Sequence, residues 1–160
     1  MSLKEDIIHN MEHTMCLHNQ KDNSSLFQVM KYYDEIVLPT CPTKDGCTCL
    51  INYMVKVTIQ EQHYTVHVNC AGQDLQYFPK LPTHTQAVDL SDNKLNDTAF
   101  EYLNVTDQNY NEIENLTLDR NKLENFPDKL LKMNKLLILS AKSNKMTSVS
   151  FLDPNTKQFD

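Results

Sequence analysis

The chain has 160 residues, about one ordinary domain, and enough to bury a sizeable core. Its 15 Lys+Arg stand against 21 Asp+Glu, a net charge of −6 without a basic cluster; phosphate contact dominates nucleic-acid affinity, so no nucleic-acid partner is expected. Only two glycines occur, Gly46 and Gly72, which excludes a G-x-G-x-x-G turn or a P-loop and with them nucleotide chemistry.

Residues 1–40 read as a flanking segment. Within it, "HNMEHTMCLH", His9 to His18, contains H-x-x-E-H. On a helix His9 and His13 share a face with Glu12 beside them, the arrangement of some zinc peptidases. A peptidase also needs a third ligand and a cleft between lobes, and about forty residues leave no room for either. His9, His13 and His18 are therefore read as a polar flank, with a zinc-binding enzyme through His9, Glu12 and His13 as the remote alternative. Cys16 lies near His13 and His18 but lacks an orienting partner, so it is not read as a nucleophile. No catalytic residue, metal or cofactor is expected. "MSLKEDII" carries charge where a signal peptide has its apolar core, and no apolar run approaches the roughly 20 residues of a membrane helix. With the end at "NTKQFD", the chain is expected to be a piece of something larger.

Four of the five cysteines, Cys41, Cys47, Cys49 and Cys70, crowd together. Two readings stand: a local disulfide clamp, or a zinc site on Cys47 and Cys49 with another thiol or histidine. C-x-C chelates less well than C-x2-C, which favours the clamp. Four sequons, at Asn23, Asn96, Asn104 and Asn115, lean the same way, toward export and glycosylation. Next come two β-rich runs, Leu50–Ile59 and Tyr64–Cys70, around the polar turn "QEQH", predicting a hairpin.

A repeat follows. "VDLSDNKL" places Val88, Leu90, Asn93 and Leu95; "LTLDRNKL" places Leu116, Leu118, Asn121 and Leu123; "LSAKSNKM" places Leu139, Ala141, Asn144 and Met146. A degenerate copy, "VNCAGQDL", puts Gln73 at the asparagine position. The anchors 73, 93, 121 and 144 lie 20, 28 and 23 residues apart. In L-x-L the two apolar residues point inward from a short strand. The asparagine amide, with donors and an acceptor, satisfies backbone groups where the chain leaves that strand. Phe78-Pro79 and Phe126-Pro127 recur three residues past the closing apolar position of their copies, Leu75 and Leu123, where an aromatic closes the unit and proline fixes a non-helical return.

L-x-L-x-x-N-x-L is the leucine-rich-repeat signature, and "CPTKDGCTC…VNCAGQDLQYFPKLPTHTQAVDLSDNKL" resembles the cysteine-rich amino-terminal cap of extracellular leucine-rich-repeat proteins running into a first repeat. The resemblance covers Cys41 to about Leu152. It implies pairing of first with third and second with fourth cysteine, Cys41–Cys49 and Cys47–Cys70. It implies an α+β solenoid of about three or four coils with short parallel strands and a disulfide-pinned N-terminal β-hairpin cap. The expected division is 1–40 flank, 41–82 cap and 83–160 repeats, closed by a truncated or improvised C-terminal cap in "SVSFLDPNTKQF". A lone Cys16 before the cap is similar to the junction in insect Toll-type receptors.

A stack of repeats offers surface rather than a cleft. The residues alternating with buried leucines are His67, Asn69 and Ala71, then Ala87, Asp89 and Ser91, then Asn115, Thr117 and Asp119, then Ile138, Ser140 and Lys142. They predict a strip that binds a protein ligand or co-receptor, which a glycan on Asn115 would partly screen. The expected function is non-catalytic extracellular recognition by part of a receptor of insect Toll type. The alternative is a free-standing secreted protein of developmental or matrix signalling. The alternative to an improvised cap in "SVSFLDPNTKQF" is a homodimer that hides the uncapped C-terminal end.

Overall fold

The structure, a computed structural model, describes residues 31, 33–54, 63–107 and 109–147. The chain enters through a π-helical turn, Tyr33–Val37, and a three-residue helix α1, Leu38–Thr40, with a proline at its start. Thr40 Oγ1 donates to the Ile36 carbonyl (2.7 Å). Val37 is fully buried, and the buried Tyr33 hydroxyl reaches the Cys49 carbonyl (3.4 Å), so this entry packs against the first strand.

Five strands form one mixed sheet in the order β1-β2-β3-β4-β5. β1 (Thr48–Met54) and β2 (His63–Asn69) are antiparallel, in register from Thr48↔Asn69 to Met54↔His63. β2 pairs in parallel with β3 (Thr85–Asp89), β3 with β4 (Asn115–Thr117) and β4 with β5 (Ile138–Ser140). Because side chains alternate along a strand, one register row turns to the core: Cys49, Val68, Val88, Leu116 and Leu139. The first four are buried and Leu139 is half-buried. Leu90, Leu95, Leu118 and Leu123 carry the same core past the strand ends with no measurable exposure. Full burial of such a side chain stabilises the fold by about 1.5–3 kcal/mol.

The expected α+β solenoid is corrected by this topology. The described residues build one mixed sheet, an antiparallel pair continued by parallel strands, with a single short helix outside it. The returns between parallel strands are 3-10 turns, Asp97–Phe100 and Asp128–Lys132, not α-helices. The physical reason is that β2 does two jobs: one edge completes the hairpin and the other starts the parallel ladder. Apolar spacing of two fits a strand in either kind of sheet, so the repeat pattern alone did not decide between them.

The asparagines behave as their chemistry predicts. Asn93, 6 % exposed, accepts at Oδ1 from Gln73 N (3.0 Å) and Leu75 N (2.9 Å), and its Nδ2 donates to the carbonyls of Cys70 (2.8 Å), Leu90 (3.0 Å) and Ser91 (3.0 Å). Asn121 accepts from Leu95 N (3.0 Å) and donates to Leu90 O (2.8 Å) and Leu118 O (3.0 Å). Asn144 accepts from Leu123 N (3.1 Å) and donates to Leu118 O and Ala141 O (both 2.9 Å). Each amide thus joins its own turn to the one before it. The residue preceding each anchor, Gly72, Asp92, Arg120 and Ser143, has φ between 52° and 70°, the left-handed region. The chain bends there out of the strand, and only the first copy uses glycine.

Two disulfides, Cys41–Cys49 and Cys47–Cys70, fasten the loop before β1 to β1 and to the end of β2; these are the pairs that the resemblance implies. All four cysteines are buried. The clamp loop also meets the first repeat copy: Tyr77 Oη donates to Asp45 Oδ1 (2.5 Å). A Cβ at Gly46 (φ 80°) would come within 2.0 Å of Gln73 Oε1. The long interval between the second and third anchors is filled by buried Phe100, Leu103, Val105 and Ile113. Phe78, of the first F-P pair, is half-buried and packs on Phe100 and Tyr110, each at 5.8 Å between ring centroids.

Candidate binding face

Opposite the core-facing row, the strand register sets two parallel rows of side chains. The first crosses all five strands as Leu50, His67, Ala87, Asn115 and Ile138. The second, one pleat further along, is Thr48, Asn69, Asp89, Thr117 and Ser140. A short third line continues beyond the strand ends, where Gly72 N donates to Ser91 O (3.0 Å), Asp92 N to Asp119 O (2.9 Å) and Arg120 N to Lys142 O (2.8 Å). The sheet therefore gathers His67, Asn69, Asp89, Thr117 and Ser140 into the strip expected of them.

The rows differ in chemistry. The first ends in exposed apolar side chains, Leu50 at 46 % and Ile138 at 61 %, with the small Ala87 between them. A shallow depression of about 200 Å³ opens over Leu50, His67, Ala87 and Asn115, bordered by Asn69 and Asp89. The second row is polar and already partly engaged. Asn69 Oδ1 accepts from Ala71 N (2.9 Å), and Asp89 Oδ1 accepts from Ser91 N (2.9 Å). Asp119 Oδ1 accepts from Ser140 Oγ (2.6 Å) and Lys142 N (2.7 Å). These bonds close the turns at the strand ends and hold the carboxylates in fixed orientations.

At the rim, Arg120 grips Asp92 with two bonds, Nε to Oδ1 (2.5 Å) and Nη2 to Oδ2 (2.6 Å). The hydrogen bond from Arg120 holds the Asp92 carboxyl below the ordinary carboxylate range, and the same contact raises Arg120. Both residues occupy the left-handed position, so the backbone bend points the two side chains at one another across 28 residues of sequence.

Ser91 departs from expectation: it is 5 % exposed and belongs to the turn rather than the accessible strip. Leu50 was not anticipated on this face, because its place there depends on the antiparallel register with β2, which composition does not show. Of the sequons, Asn96, Asn104 and Asn115 are exposed, and Asn115 stands in the middle of the first row. His9, Glu12, His13, Cys16, His18 and Asn23 lie outside the described residues, as does the segment expected to improvise a cap. Among the described residues no three His, Cys, Asp or Glu side chains gather as a metal site. Nor, among them, is any helix long and apolar enough to cross a membrane. No known protein family, curated protein or solved structure matches the chain.

Proposed function

We propose that this chain is a non-catalytic extracellular module that recognises another protein, a ligand or co-receptor, through the open face of its sheet, as part of a leucine-rich-repeat receptor of insect Toll type. The observation that carries the reading is the row Leu50–His67–Ala87–Asn115–Ile138, which sets exposed apolar groups at fixed spacing on a hydrogen-bonded sheet. A surface of this kind loses little side-chain and backbone freedom on binding, so more of its buried apolar area appears as affinity. The two disulfides are compatible with an oxidising, extracellular setting and fix the β1–β2 end of that surface. The repeated asparagine anchors and the cap-like cysteine spacing support the receptor class.

The test is a panel of immobilised extracellular ectodomains probed with the secreted, oxidised protein. Saturable binding to one of them, abolished by reduction of the disulfides and by Leu50→Asp together with Ile138→Asp, is the expected result. Binding unchanged by the paired substitutions overturns the assignment of the face. A second copy is the other partner we propose, pairing through the β5 end, where Leu137 and Ile138 are exposed. Sedimentation equilibrium showing a monomer up to about 100 µM, a concentration at which only contacts weaker than about −5.5 kcal/mol stay dissociated, removes that second partner.

A further inference from the structure

Charge is divided unevenly along the described residues. Residues 128–147, the last 3-10 return and β5, carry five lysines against one acid, a net +4. The described residues before them carry six Lys or Arg against thirteen Asp or Glu, a net −7. The basic end is also the open end of the core. Leu139, Ala141 and Met146 are half-buried there, whereas Leu116, Leu118 and Leu123, their equivalents one turn earlier, are buried. Leu137 and Ile138 stand exposed beside them. Leu118 N and Arg120 N donate to Ser140 O (2.7 Å) and Lys142 O (2.8 Å). Among the described residues nothing accepts from Ala141 N or Ser143 N, the equivalent donors of the last turn. Lys142 and Lys145 are exposed and, again among the described residues, belong to no ion pair. Lysines on a sheet edge discourage a neutral or basic strand and admit an acidic partner.

The opposite end of the strand order has the complementary chemistry. There the π-helical turn and α1 pack on β1 through buried Tyr33 and Val37, and turn Asp34, Glu35, Ile36 and Leu38 to the surface. We propose that copies of this chain associate head to tail, the basic β5 end of one seating on the acidic entry turn of the next. Lys142 and Lys145 meet Asp34 and Glu35 of the second copy, and Leu137 packs against its Ile36 and Leu38. A two-fold contact through β5 would instead bring two ends of net +4 together, and like charges facing one another oppose association. Exposed ion pairs contribute little individually, so the charges set the direction of the contact and the apolar side chains supply its buried area. A contact between two different surfaces does not close on itself as a two-fold dimer does, so assembly continues past two copies. The proposal deepens the second-copy reading above and rests on it.

The experiment is sedimentation velocity on the full, oxidised chain up to about 100 µM, at low salt and at about 1 M NaCl, where the screening length falls to about 3 Å. Two charge-reversed variants accompany the wild type: Lys142→Glu with Lys145→Glu at the tail, and Asp34→Lys with Glu35→Lys at the head. Expected at low salt is a wild type that grows with concentration to species larger than a dimer, and that shifts toward monomer in high salt. Each variant alone should associate about tenfold or more weakly, because its two ends now carry the same sign. An equimolar mixture of the two should associate again, since each end then finds its opposite, and that recovery also shows that both variants fold. A mixture that stays monomeric overturns the proposal. Association that stops at a dimer, strengthens with salt and ignores the head variant overturns it in favour of a two-fold β5 contact and leaves the second copy standing. A wild type that is monomeric throughout removes the second copy altogether and leaves the recognition face, which the ectodomain panel tests separately.

Discussion

Asn121 illustrates how one side chain holds two turns together. It is 7 % exposed and serves Leu95 N, Leu90 O, Leu118 O and Asp119 O at 2.8–3.3 Å. Alanine there leaves buried backbone groups of two neighbouring turns without partners, each at about 1–3 kcal/mol. Asn121→Ala is therefore expected to lose about 2–4 kcal/mol in urea unfolding at 25 °C, more than Asn144→Ala, whose half-buried site water can reach. Equal losses at both positions would contradict the burial difference. The asparagines were legible in the sequence because amide chemistry and spacing coincide. The left-handed residue before each anchor was not: Asp92, Arg120 and Ser143 carry no glycine to mark it.

Between elements, two kinds of tie operate. The Cys47–Cys70 bridge closes 23 residues and joins the loop before β1 to the end of β2. Removing it as Cys47→Ser with Cys70→Ser should lower stability by about 3 kcal/mol from loop-closure entropy, and by slightly less for the shorter Cys41–Cys49 loop. Melts of the two paired variants measure the difference, and a reversed order would show that strain or local packing outweighs loop length. The second tie is Asp97, which accepts from Glu124 N (2.9 Å), Asn125 N (3.1 Å) and Asn125 Nδ2 (2.7 Å) across successive turns. Partial burial pushes its carboxyl up, but the hydrogen bonds from Asn125 and Glu124 outweigh it and the net shift is downward. Asp92 shifts the same way. In both cases the unfolded chain binds a proton at higher pH than the folded one. The stabilisation is thus complete above about pH 4, the ordinary carboxylate value, and lost as pH falls through the lower folded values. Melts taken between about pH 5 and pH 2.5 should show this fall, and Asp97→Asn should flatten it; an unchanged slope in Asp97→Asn would assign the acid sensitivity to other carboxylates. At this scale the hairpin and the strand of each repeat were readable from alternation. The return segments were not, since 3-10 turns such as Asp97–Phe100 lack a periodic signature of their own.

For the whole molecule, the open sheet face depends on a fact no short window of sequence contains. β2 pairs with β1 on one side and β3 on the other, and only that double pairing brings Leu50 into line with Ile138. The expected strip of His67, Asn69, Asp89, Thr117 and Ser140 follows from alternation alone, whereas its apolar ends follow from topology. Ser91 shows the limit of counting by twos, because the turn after β3 draws it inward to 5 % exposure. The central claim is that this face does the recognising. The most direct measurement is a set of single substitutions to glutamate read by partner binding: Leu50, His67, Thr117 and Ile138 on the face, with Tyr102, 95 % exposed, as the control away from both rows. The account predicts losses of about tenfold or more, about 1.4 kcal/mol, at Leu50 and Ile138, smaller ones at His67 and Thr117, and none at Tyr102. Loss at Tyr102 with the four face variants unaffected would contradict it.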